Sequence, residues 1–188
     1  MLKKLVCAAV VLLLGFSTSA YSYPNTPELQ SYLSKAVKSE LKASVRPLLA
    51  EQCRLNKLPV PKHILANVHL EMDKSSCITF LFFSSDVPPK AARKAAGLVA
   101  GKILVHMNKY GIPFDKIEKS EYVITVMAFN MAHNTITPYE GVAVQMKNGL
   151  PSPATLATDF VESIALAPDQ RAALGGMYQA LKSGRSVE

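Results

Sequence analysis

The chain has 188 residues, of which 49% are hydrophobic and 19% charged, with 12 prolines, 9 glycines and no tryptophan. That composition excludes low-complexity disorder and a collagen-like repeat, and the length supports one core of ordinary domain size rather than a multidomain enzyme. A formal charge of +7 favours weak contact with anionic surfaces. No dense Arg/Lys stripe with interleaved aromatics is present, so the sequence predicts no nucleic-acid partner.

Lys3 and Lys4, an apolar run from Leu5 to Phe16, and the small residues Ser17-Thr18-Ser19-Ala20 follow the order of a secretory signal peptide. The run holds about a dozen residues, short of the roughly 20 that a permanent membrane helix needs. Residues 1–20 are therefore expected to be a signal peptide cut after Ala20 or Ser22, leaving 21–188 as a single α+β domain. Cys7 lies within the apolar run, where a lipid-carrying cysteine at a cleavage site would not be. The expected location is the periplasm or the exterior. Cys53 and Cys77 would then meet an oxidising compartment, and a disulfide between them is predicted; closing that loop of about 24 residues would contribute about 3 kcal/mol. A free reactive thiol is the functional alternative.

Thr26-Pro27-Glu28 reads as an N-cap, a first-position proline and a favourable acid, followed by Leu29, Leu33, Val37, Leu41 and Val45 at helical spacing. The spacing predicts an amphipathic helix to about residue 52, kinked or divided at Pro47. Beyond Pro59 and Pro61, Val68, Leu70 and Met72 alternate with Asn67, His69, Glu71 and Asp73, a strand with one wet face. Cys77 to Phe83 is more evenly apolar and forms the buried partner of a hairpin. Pro88-Pro89 opens a long alanine-rich helix ending at the Gly111 C-cap, with Ala92, Ala96, Val99, Ile103, Met107 and Tyr110 on the buried arc. Gly97 and Gly101 lie on the other arc and suggest a groove for a second helix. Tyr122 to Phe129 and Gly141 to Lys147 predict a second hairpin, joined by a long connection containing His133 and Asn134. Ser152-Pro153 reads as the N-cap of a shorter helix. A final helix, interrupted at Gly175-Gly176, runs to a frayed end after about Lys182.

This order predicts an α+β fold: a four-stranded, largely antiparallel sheet of two hairpins, packed on one side by a long central helix, an N-terminal helix and two C-terminal helices.

His69, Glu71 and Asp73 project from one strand face, which would suit a divalent metal. No HExxH, paired CxxC or second histidine at helical spacing completes a ligand set, and solvated strand polarity accounts for them. His106, at the edge of the buried arc, reads as a core histidine. There is no GxSxG, no SxxK and no phosphate-binding glycine loop. Asp159 and Glu162 at helical spacing read as a solvated edge.

The sequence therefore predicts no catalytic residue, no metal and no cofactor. It points to an exported, non-catalytic accessory protein of a bacterial cell envelope with a protein partner. Its candidate contacts are the polar face Asn67, His69, Glu71 and Asp73, the loop residues His133 and Asn134, and the Gly97/Gly101 groove. The alternatives are a secreted hydrolase using His69 with Glu71 or a free Cys77, and a binder of lipid or another apolar small molecule through Phe80, Phe82, Phe83 and the methionines.

Overall fold

Thr26 is extended (φ −103°, ψ 158°) and its hydroxyl accepts the Leu29 N–H at 3.2 Å, so the first helix starts where the Thr-Pro-Glu triplet predicts. A computed structural model describes residues 25–71, 75–112, 122–132, 135–147, 149–166 and 168–185, with residues 147 and 163–166 described by backbone alone. The expected signal peptide lies outside the described residues.

Helix α1 is Pro27–Glu40 and α2 is Arg46–Leu55. Between them Leu41–Val45 form a π-helical turn, in which the Arg46 N–H reaches five residues back to the Leu41 carbonyl. The helix is thus divided just ahead of Pro47, as expected, but the chain stays helical through the division. A proline offers no N–H and crowds the preceding turn, and widening that turn removes the conflict while the chain stays helical. At its end Lys57 adopts a left-handed conformation (φ 57°) while the Leu58 N–H bonds the Cys53 carbonyl at 2.9 Å, which turns the chain sharply towards the sheet.

The remaining elements are β1 (Ile64–Glu71), β2 (Ser76–Phe83), α3 (Pro89–Tyr110), β3 (Tyr122–Asn130), β4 (Thr137–Pro138), β5 (Gly141–Lys147), β6 (Leu150–Leu156), α4 (Thr158–Leu166) and α5 (Pro168–Lys182). The fold is α+β, and the β1–β2 and β3–β5 pairs are antiparallel. Its sheet, however, has six strands in the order β1-β2-β3-β5-β6, with β4 beside β3.

The two expected hairpins are not separate units. Strands β2 and β3 lie side by side in parallel, Ser76 opposite Val123 through Phe83 opposite Asn130, and α3 makes the crossover between them. All eight residues of β2 and all nine of β3 are buried, because helices cover both faces of the sheet rather than one. Leu70, Leu81, Phe83, Ile124 and Val126 face the core under α1, α2 and α3, while Ile78, Phe80, Phe82, Met127 and Phe129 meet Val161 of α4 and Leu174, Met177 and Tyr178 of α5. A parallel pair buried on both sides needs continuous apolar strands, which is the pattern that Cys77–Phe83 and Tyr122–Phe129 present.

The expected helix start at Ser152-Pro153 is instead the middle of β6. Lys147 pairs with Leu150, so β5 and β6 form a tight hairpin, and Gly149 has φ 75°. Strand β4 continues β5 across a bulge: Val126 pairs with Val142 but Phe129 with Pro138, leaving three residues, Tyr139–Gly141, opposite two. The bulge swings Tyr139 into the first core, where its hydroxyl accepts the Val87 N–H at 3.2 Å and its ring meets Phe83 edge-on at 6.1 Å. It also presses Gly141 against the neighbouring strand, where a Cβ would stand 2.5 Å from the Val126 carbonyl oxygen. Helix α5 runs through Gly175-Gly176 without the expected interruption.

Candidate functional site

The polar face expected on β1 is not an open surface. Its side chains point towards the second core, where α5 packs: Leu65 joins that core and the Asn67 amide reaches Met177 Sδ at 3.4 Å. His69 is half-buried, and burial holds its pKa below the ordinary imidazole value, with Glu71 opposing. Glu71 is buried and its carboxylate accepts the Ser76 hydroxyl at 3.2 Å across the hairpin. Asp73 lies outside the described residues, as do His133 and Asn134. Around Glu71 the chain builds a structural knot. The Asn25 amide donates to the Glu71 and Ser76 carbonyls at 2.6 and 3.3 Å, and its oxygen accepts the Tyr122 hydroxyl at 2.9 Å.

The disulfide expected between Cys53 and Cys77 is not formed in this structure: both are buried free thiols. Cys77 opens β2, whereas Cys53 sits by its far end, where the Leu58 N–H bonds the Cys53 carbonyl and the Ser85 hydroxyl contacts the Pro59 carbonyl at 3.5 Å. The six residues from Cys77 to Phe83 span about 20 Å, far beyond the reach of a bridge. Burial pushes the Cys77 thiol up to about 12, with the Thr79 hydroxyl offsetting a little, a setting that withholds the thiolate a nucleophile needs.

The glycine arc of α3 receives no helix among the described residues. A Cβ at Gly97 or Gly101 would meet nothing within 4 Å, and Leu98 and Val105 beside them are 38% and 49% exposed. His106 contacts α1, its Nδ1 lying 2.9 Å from the Tyr32 hydroxyl, and Tyr110 leaves the expected buried arc to set its ring, tilted, 5.5 Å from that of Tyr32. The phenylalanines that suggested an apolar ligand pack on one another and on tyrosines: Phe82 stands 6.0 Å from Phe129 and 5.9 Å from Tyr178.

The site that folding does assemble lies at the carboxyl ends of the parallel strands, a position where open sheets with crossover helices commonly bind ligands. A groove of about 1000 Å³ runs between α5 and three segments: 59–63 leading into β1, Ser84-Ser85 after β2, and Met131 with Thr135 and Ile136 after β3. From α5 it takes Pro168, Arg171, Ala172, Gly175, Tyr178, Gln179 and Lys182. Three- and four-residue steps place these on one helical stripe, about 21 Å long from end to end.

The walls are knitted to each other. His63 and Ser84 are joined twice, by the His63 N–H on the Ser84 hydroxyl (3.0 Å) and the Ser84 N–H on the His63 carbonyl (3.1 Å). The Arg46 guanidinium donates to the Lys62 carbonyl at 3.1 Å. Past β3 the Met131 N–H reaches the Phe83 carbonyl at 2.8 Å, the buried Asn130 amide donates to Asp86, and its oxygen accepts the Ala132 N–H at 2.9 Å. The Thr135 hydroxyl closes the turn on the Ala132 carbonyl at 2.8 Å. The apolar lining combines the exposed Val60 with Met131, Ile136 and the Tyr178 ring, and Lys62, Arg171 and Lys182 are exposed around it.

The sequence presents the paired glycines Gly175-Gly176 but little local mark of a site, because the lining is drawn from four segments spread over more than a hundred residues. The stripe of α5 offered the one local signal. Among the described residues no three His, Cys, Asp or Glu side chains cluster for a metal, and no helix is long and apolar enough to cross a membrane. No protein-family model, curated protein or solved structure matches this chain.

Proposed function

We propose that the chain is an exported, non-catalytic accessory protein of a bacterial cell envelope, which works by holding part of a protein partner in the groove between α5 and the strand ends. The observation that carries this reading is the groove itself: elongated, walled by segments already bonded to one another, and mixing an apolar lining with exposed cations. Such pre-organisation lowers the ordering cost of binding. The length of the stripe suits a stretch of polypeptide more than a compact metabolite.

Site-specific photocrosslinking in the producing bacterium tests it. A photoreactive residue at Ala172, on the stripe, should give a discrete adduct with an envelope protein, whereas one at Leu150 on the remote β6 edge should not. Equal labelling from both positions, or none from Ala172, refutes the reading.

A further inference from the structure

We propose that the groove receives an extended acidic segment, one whose carboxylates recur about four residues apart. This rests on the groove being a protein-binding site and adds the chemistry of its occupant. Three cations border the groove, Lys62 on one wall and Arg171 and Lys182 on α5, and no carboxylate occurs among its described lining residues. A concentration of one charge sign along a cleft selects the opposite sign in what enters it.

Spacing decides among anionic occupants. Arg171 and Lys182 are separated by three turns of α5, about 16 Å along the axis. A single phosphate or carboxylate therefore reaches only one of the two cations. In an extended chain, residues four apart share a face and stand about 13 Å from one another, a gap that the long, flexible Arg and Lys side chains close. The alternate residues of such a segment point to the opposite side, where Val60, Met131 and Ile136 supply apolar lining. An anionic membrane is the weaker occupant, because a lipid surface can touch the exposed cations but cannot enter the concavity to cover its apolar lining. Gly175 strengthens the assignment: it lies mid-stripe, and a Cβ there would meet nothing within 4 Å, so the absent side chain leaves the groove open rather than relieving a clash inside the protein.

The test is fluorescence polarisation with the chain from residue 21 onward and a labelled eight-residue peptide in which two glutamates four positions apart alternate with valines. Replacing the glutamates with glutamines should weaken binding about tenfold, and placing them adjacent should weaken it comparably, since each partly exposed ion pair contributes a factor of up to about five. Arg171→Gln and Lys182→Gln should each weaken it several-fold. Gly175→Leu should abolish it with a melting temperature no lower than the parent's, and the two glutamine variants carry the test should the leucine variant fold poorly.

Equal binding of the glutamate and glutamine peptides overturns the proposal. So does full displacement by millimolar inorganic phosphate, or tighter binding to phosphatidylcholine–phosphatidylglycerol vesicles than to the peptide. If the Ala172 crosslink forms while glutamate selectivity is missing, the groove remains the partner site and only its acidic preference falls; if the crosslink is missing too, both fall.

Discussion

Asn25 stands just ahead of the first helix, yet its side chain ties together the β1–β2 hairpin and the start of β3. Its amide donates to two carbonyls, on Glu71 and Ser76, and its oxygen accepts the hydroxyl of Tyr122, a residue with no exposed surface. Asn25→Ala removes three hydrogen bonds at once. At about 1 kcal/mol net for each buried neutral bond, the loss is about 3 kcal/mol, a large share of the 5–15 kcal/mol typical of a domain. With a urea slope of about 2 kcal/mol per molar, the unfolding midpoint should fall by roughly 1.5 M. Tyr122→Phe removes one of the three bonds and should cost about 1 kcal/mol. Because the two changes share that bond, the double variant should lose about 1 kcal/mol less than the sum of the singles. Urea unfolding followed by circular dichroism measures all four corners of the cycle. Strict additivity, within about 0.3 kcal/mol, would show that the Asn25–Tyr122 contact contributes nothing and would refute the knot as an energetic unit.

Alkaline pH should destabilise the protein through Cys77. Its folded pKa is raised from 9.0 to about 12, so its contribution is complete below pH 9 and disappears as pH rises from 9 to 12, at about 1.4 kcal/mol per pH unit and about 4 kcal/mol in all. Burial raises Tyr122, Tyr139 and Tyr178 in the same sense; Cys77→Ala should flatten the stability profile between pH 8 and 10.5, and parallel profiles would contradict the burial argument. Gly101→Ala should raise stability by up to about 1 kcal/mol in a thermal melt, since the site is an exposed helix interior with open space around it; a loss would mean that something occupies the arc. Gly141→Ala should cost about 1–3 kcal/mol in the same assay, because a Cβ meets the Val126 carbonyl at 2.5 Å and Leu156 Cδ1 at 3.1 Å.

What was legible in the sequence follows the range of the interactions involved. The Thr26 cap and the left-handed Gly111 cap, with φ 93°, are local events and were read from a few adjacent residues. Strand β1 was likewise carried by a two-residue alternation, and its hairpin with β2 by the apolar run that follows. The parallel partnership of β2 with β3 was not, because no local feature distinguishes a strand that pairs with its successor across a helix from one that does not. The evenly apolar runs of β2 and β3 do hold the information that both faces are covered, but a single run marks depth without marking which strand lies beside it. At β6 two signals competed. Ser152-Pro153 imitates a helix start, and Asn148-Gly149 between two β-rich segments marks a tight hairpin; the hairpin prevailed because the strand it adds caps the sheet. The groove was illegible for a further reason. Lys62, Arg171 and Lys182 each read as ordinary solvated charge, and only the fold places them around one concavity.

The prolines of β6 bear on how a partner can be engaged. The pair flanking a two-residue turn is hydrogen-bonded, so the Lys147–Leu150 register directs the N–H groups of Leu150, Ser152 and Ala154 to β5 and the backbone of residues 151, 153 and 155 outward. Two of those three outward positions are proline, leaving Thr155 as the one N–H donor on that edge. At the opposite edge of the sheet, the outward N–H of Leu70 is taken by the Gln30 side chain at 3.1 Å. The β6 margin is thus a poor template for an added strand, and one donor of the β1 margin is already taken. Replacing both prolines, Pro151→Thr with Pro153→Thr, restores two donors on an exposed, extended margin without touching either core. The double variant should fold with similar circular dichroism yet form larger species as concentration rises, seen by size-exclusion chromatography with light scattering. If its mass matches that of the parent protein at every concentration, the prolines are not what keeps the β6 edge closed.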